Sequence, residues 1–182
     1  MSEDKIGNAK EYDAMIHWHS LDQCNIDCEY CFNHGKPIKT NGAIPVIDIQ
    51  GLVRALGRAG KIFRISFSGG GEPFLIPNII EACHEITKQH YLTFYTNLTC
   101  QAVQRFADVI KPERILWIHA SLHIRELEKR NLMQQFIDNF FKCREKGIPI
   151  EAWEIGFPPL VREVESYRKF FAARGITFSF SP

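Results

Sequence analysis

Six short runs rich in β-branched and aromatic residues alternate with five longer amphipathic runs along this 182-residue chain, and that alternation restricts the fold more than any other feature. The strand-like runs are AMIHWHS (14–20), KIFRISFS (61–68), YLTFYTN (91–97), RILWIHASL (114–122), PIEAWEIGF (149–157) and ITFSFS (176–181). Apolar residues three and four apart mark helices in IPVIDIQGLVRALGRAG (44–60), IPNIIEACHEITKQH (76–90), CQAVQRFADVI (100–110), NLMQQFIDNFFKCREKG (131–147) and LVREVESYRKFFAARG (160–175). The first, fourth and fifth of these end on a glycine able to cap them.

Strand–helix repetition of this regularity implies parallel pairing through right-handed crossovers, hence an α/β sheet or barrel. A complete eight-unit barrel needs about 250 residues, so six strands close only part of one. The expected fold is a partial (β/α)6 TIM-like barrel, an open three-quarter barrel of parallel strands. It forms one domain over residues 13–182, preceded by a polar lead-in at 1–12, with no Gly/Ser- or Pro-rich linker to divide it. The sequence stops at SFSP, after the sixth strand and before a covering helix, which suggests a core cut from a longer protein.

Charge is nearly balanced, with 22 Lys and Arg against 21 Asp and Glu, and no block of like charge points to nucleic acid or a membrane surface. The polar start MSEDKIGNAKEYD lacks the apolar run of a signal peptide, and no segment has the length of a membrane span. These features fit a cytoplasmic protein. In that reducing compartment clustered cysteines serve as metal ligands or redox groups rather than disulfide halves.

Three of the six cysteines do cluster, in QCNIDCEYCFNHG (23–35): Cys24, Cys28 and Cys31 have the spacing C-x3-C-x2-C just after the first strand. Soft thiolates suit zinc or an iron-sulfur cluster. Three can hold three irons of a four-iron cluster and leave the fourth open. Alternatively, His34 completes a Cys3His zinc site. A second motif, SGGGEPF (68–74), directly follows the second strand. Its glycines let the backbone approach a ligand closely, and the carboxylate of Glu72 beside them can accept hydrogen bonds from an ammonium group.

The cysteine motif, with Tyr30 as the aromatic before the third cysteine, and the Gly70-Gly71-Glu72 motif on a partial barrel together resemble the radical S-adenosylmethionine (radical SAM) superfamily, over essentially residues 13–182. The resemblance implies an enzyme in which Cys24, Cys28 and Cys31 bind a [4Fe-4S] cluster. The fourth iron chelates S-adenosylmethionine, which is cleaved reductively to a 5'-deoxyadenosyl radical that abstracts hydrogen from a substrate. It also implies that Gly70, Gly71 and Glu72 hold the methionine amino group. Asn97, after Thr96, and Ser121 would then face the ribose or the methionine carboxylate, and Arg130, with Arg125 as competitor, that carboxylate. Tyr30 and the backbone of Phe32 would meet the adenine. His123 departs from the family, many of whose members have Asp there, and Gly156, Phe157 and Pro158 either line the adenine pocket or make a turn. A small electron donor such as flavodoxin or ferredoxin is implied as partner.

The rival expectation is a non-catalytic barrel whose cysteines hold zinc or a structural cluster. Cys83 and Cys143 fall inside helical runs as small apolar residues, and Cys100 at the start of another. Trp18 and His19, at the end of the first strand, are expected to pack beside the cysteine loop.

Overall fold

The computed structural model describes residues 11–19, 23–32, 34 and 44–181; most of the polar lead-in, Ser20, Gly35 and Pro182 lie outside them, as does the side chain of His19. Among the described residues six strands form: β1 (Ala14–His19), β2 (Phe63–Ser68), β3 (Tyr91–Thr96), β4 (Ile115–Ser121), β5 (Ile150–Ile155) and β6 (Phe178–Ser181). They pair in parallel and in sequence order, β1-β2-β3-β4-β5-β6, in one sheet. Each strand thus adds beside its predecessor through a helical crossover, and right-handed twist curls the row toward a barrel. Among the described residues β1 and β6 remain edges, so the sheet is open, as six units imply.

The helices are α1 (Ile49–Arg58), α2 (Ile79–Ile86), α3 (Ala102–Val109), α4 (Ile124–Lys129), α5 (Met133–Glu145) and α6 (Val164–Ala172). Gly60, Gly147 and Gly175 follow α1, α5 and α6 with φ of 60°, 75° and 74°, the left-handed turn that glycine takes without steric cost. The short helix α4 has no counterpart among the helical runs read from the sequence. His123, at φ 46°, turns the chain out of β4 and straight into it.

Alternation along the strands separates two faces. Ile65, Phe67, Leu92, Phe94, Ile118 and Ala120 are wholly buried and join the helices in a single core. Its centre is aromatic: Phe94 stacks on Phe67 and Phe74 at 5.0 and 5.1 Å and meets the edge of Phe106 at 5.2 Å. Trp18 stacks on Phe67 at 5.5 Å and packs against this core, in keeping with its expected packing role. The opposite face is polar and aromatic, with Tyr95, His119 and Trp153 in ring contact across β3, β4 and β5. Cys83 and Cys143 are fully buried on the helices that cover the core. No helix among the described residues is long and apolar enough to cross a membrane.

Candidate cofactor site

Parallel strands send all their C-terminal ends to one rim, and loops from that rim enclose a cavity of about 270 Å³. Cys24, Cys28 and Cys31 line it. So do Tyr30 and Phe32 from the same loop, Gly70, Gly71 and Glu72 after β2, Asn97 after β3 and Ser121 at the end of β4. Residues read from separate stretches of sequence therefore meet around one space. Arg130 and Arg125 do not line it: Arg130 donates from Nε to Glu126 Oε2 at 2.7 Å, and Arg125 pairs with Glu163 at 3.1 Å.

The glycine loop needs its composition. Gly69 and Gly71 have φ of 100° and 87°, positions where a side chain would be strained. The turn brings the Glu72 N–H within 2.8 Å of the Gln23 carbonyl, tying this loop to the start of the cysteine loop. The Glu72 side chain is 1 % exposed. Its Oε1 accepts from the Phe74 N–H at 3.1 Å and the Thr96 hydroxyl at 2.7 Å, and Oε2 accepts from the Asn97 N–H at 2.8 Å. Burial pushes its pKa up to about 7 against the pull of those three donors.

The cysteine loop is pinned from several strands. The Asp27 N–H donates to Glu126 Oε2 at 3.1 Å. Burial works to raise the pKa of Glu126, but hydrogen bonds from Arg130, the Asp27 N–H and Lys129 outweigh it and hold the carboxyl below its ordinary value. Tyr30 reaches His123 Nδ1 with its hydroxyl at 2.7 Å and packs on Phe157 at 5.0 Å. Burial pushes the Tyr30 hydroxyl up and lowers His123 to about 4, so the imidazole is neutral at pH 7 and shares one hydrogen with the Tyr30 hydroxyl, which also reaches Glu154 Oε1 at 3.5 Å. Glu154, 2 % exposed, accepts the Ile124 N–H at 2.8 Å and so caps α4 from β5. Asn25 and Asn97 join side chains at 2.8 Å beside Cys24.

Asn25, Thr99, Glu126 and Glu154 were not singled out by sequence reasoning. A signal existed for Glu154, a carboxylate on β5 in phase with Ile150 and the buried Ala152, where alternation calls for an apolar residue.

The donor set suits a soft metal cluster. Burial pushes the Cys28 thiol up to about 12 and raises that of Cys24, so a cation must displace protons to bind there. His34 does not line the cavity; its Nδ1 lies 3.1 Å from Oδ1 of Asp27, which does. Three soft thiolates that line one cavity fit a four-iron cluster with one iron left open.

The family model described as "Radical SAM superfamily" matches residues 19–170. No curated protein sequence matches significantly. Among solved structures, the fold is similar to that of anSMEcpe with bound AdoMet (TM-score 0.68, 18 % identity, covering 92 % of this chain and 50 % of that one). It is also similar to Streptococcus suis SuiB bound to S-adenosylmethionine (TM-score 0.58, 16 % identity, 92 % and 40 %). BtrN in complex with AdoMet and 2-DOIA is a third likeness (TM-score 0.54, 18 % identity, 80 % and 57 %). The chain thus spans about half the length of the first of these structures.

Proposed function

Because the chain belongs to the radical SAM superfamily, we propose that it is a radical S-adenosylmethionine enzyme. Cys24, Cys28 and Cys31 hold a [4Fe-4S] cluster in this reading. Cluster and S-adenosylmethionine together supply the chemistry, reductive cleavage of a carbon–sulfur bond and abstraction of hydrogen from a substrate.

The protein's own part is to bind, orient and shield. Glu72 offers a carboxylate for the methionine ammonium, and Gly70 and Gly71 let the backbone close on it. Ser121 takes the ribose or carboxylate, and Tyr30 and Phe32 border the adenine. Asn97 and Arg130 act on the cysteine loop, the second through Glu126. A flavodoxin- or ferredoxin-like donor provides the electron.

One observation carries this reading: the three thiols and the Gly-Gly-Glu loop line the same cavity, joined by the 2.8 Å hydrogen bond from Glu72 to Gln23. A mere zinc module gives no reason for that convergence. Anaerobic reconstitution with iron and sulfide is expected to load about four irons per chain. Reduction in the presence of S-adenosylmethionine should then release 5'-deoxyadenosine. One tightly held zinc with no iron uptake would overturn the cluster; an intact reduced cluster that releases no 5'-deoxyadenosine would favour a non-catalytic barrel.

A further inference from the structure

Asn97, directly after β3, is 3 % exposed, and every polar atom of its side chain is committed. Its Oδ1 accepts from the Thr99 N–H at 3.0 Å and from the Thr99 hydroxyl at 2.6 Å. A backbone N–H can only donate, so the two ends of this amide cannot be interchanged. Nδ2 must face the other way. It gives one hydrogen to Asn25 Oδ1 at 2.8 Å and the other to Cys24 Sγ at 3.6 Å. Asn25 in turn donates from Nδ2 to Thr99 Oγ1 at 2.7 Å, which closes a ring in which each of the three side chains donates once and accepts once. The ring leaves a single Asn97 hydrogen over, aimed at the sulfur.

We propose that Asn97 is a positioning residue that raises the reduction potential of the cluster through its hydrogen bond to Cys24. This rests on the reading that the cysteines hold four irons. Reduction adds negative charge that is shared with the ligating sulfurs. A donor fixed on one of them stabilises the reduced form more than the oxidised form, and hydrogen bonds to sulfur are among the levers that set such potentials. Burial strengthens the effect, since little water competes at an amide this enclosed. Asn97 thereby acts on the cluster ligand, a different task from contacting the ribose or the methionine carboxylate.

The test compares midpoint potentials of the reconstituted wild type, Asn97→Leu and Thr99→Val, with iron counted in each. Leucine removes the donor at similar volume. Its cluster should load fully but be harder to reduce, with the ratio of reduced to oxidised protein at a fixed potential lower by about tenfold, which for one electron is about 59 mV. Thr99→Val keeps the amide and the backbone N–H that orients it, so its shift should be under half as large. Should Asn97→Leu fail to load, Asn97→Ser, too short to reach the sulfur, carries the same expectation. Equal potentials in loaded wild type and variant overturn the proposal while leaving the cluster reading intact. Failure of both variants to hold iron when the wild type does makes Asn97 a loop-building residue and also overturns it. A wild type that takes no iron overturns the cluster reading itself.

Discussion

Cys28→Ala is expected to yield a folded protein that holds almost no iron and forms no 5'-deoxyadenosine above background. The thiol is 5 % exposed, so its removal leaves a small cavity and costs about 1 kcal/mol. The loop that carries it is held by bonds that do not involve sulfur: the Asp27 N–H to Glu126, Tyr30 to His123, Asn25 to Thr99, and the Gln23 carbonyl to Glu72. Fold and metal content should therefore separate. With two thiolates left, a four-iron cluster would have two irons without protein ligands, and iron should fall from about four per chain to below about one. Cys143→Ala should do the reverse. That thiol is wholly buried on α5 among core residues, so its loss should lower the melting temperature and leave iron content unchanged. Iron assays and thermal melts on both variants decide the matter; full iron in Cys28→Ala would remove this cysteine from the ligand set.

The strands were legible because a parallel sheet covered by helices writes a period of two beside a period of 3.6, and glycines 60, 147 and 175 punctuate it. Site residues borne on motifs were legible for a related reason, since each motif sits at the end of one strand. Illegible were the pairings between strands. Asp27 and Glu126 are 99 positions apart, and Tyr30 and Glu154 are 124 apart, so nothing local in the sequence joins them. α4 escaped because the strand-to-helix turn is only Leu122 and the left-handed His123, while the cap for its first N–H comes from β5. Arg130 is the instructive contrast. Its partner lies four residues earlier on the same helical turn, and the Glu126–Arg130 spacing is the one at which oppositely charged side chains meet.

Glu72 should show the other large effect, and in two measurements. Glu72→Leu strands three buried donors, the Phe74 and Asn97 N–H groups and the Thr96 hydroxyl. At about 1–3 kcal/mol for each unsatisfied group the loss is about 3–9 kcal/mol, a large share of the 5–15 kcal/mol typical of a domain. Denaturant titration should find that variant marginally folded. Glu72→Gln keeps one acceptor oxygen and suits a subtler comparison. The carboxyl of Glu72 is raised from 4.5 to about 7 by burial, so between those values the folded state holds a proton that the unfolded state has released. Its contribution to stability is fully present below pH 4.5 and is lost as pH rises through 7, about 3 kcal/mol in all. Glu72→Gln should flatten that slope. A ligand ammonium works in the opposite sense, because it favours the carboxylate. S-adenosylmethionine should accordingly bind the reconstituted protein about fivefold more weakly at pH 6 than at pH 7, the ratio of ionised Glu72 at the two values. The window stops short of the titration of the ligand's own amino group, near pH 8. Calorimetric titration at the two pH values, with Glu72→Gln as the pH-insensitive control, isolates this carboxylate. Wild-type affinity that is the same at pH 6 and pH 7 would mean that Glu72 braces the loops around the cavity while another group receives the ammonium.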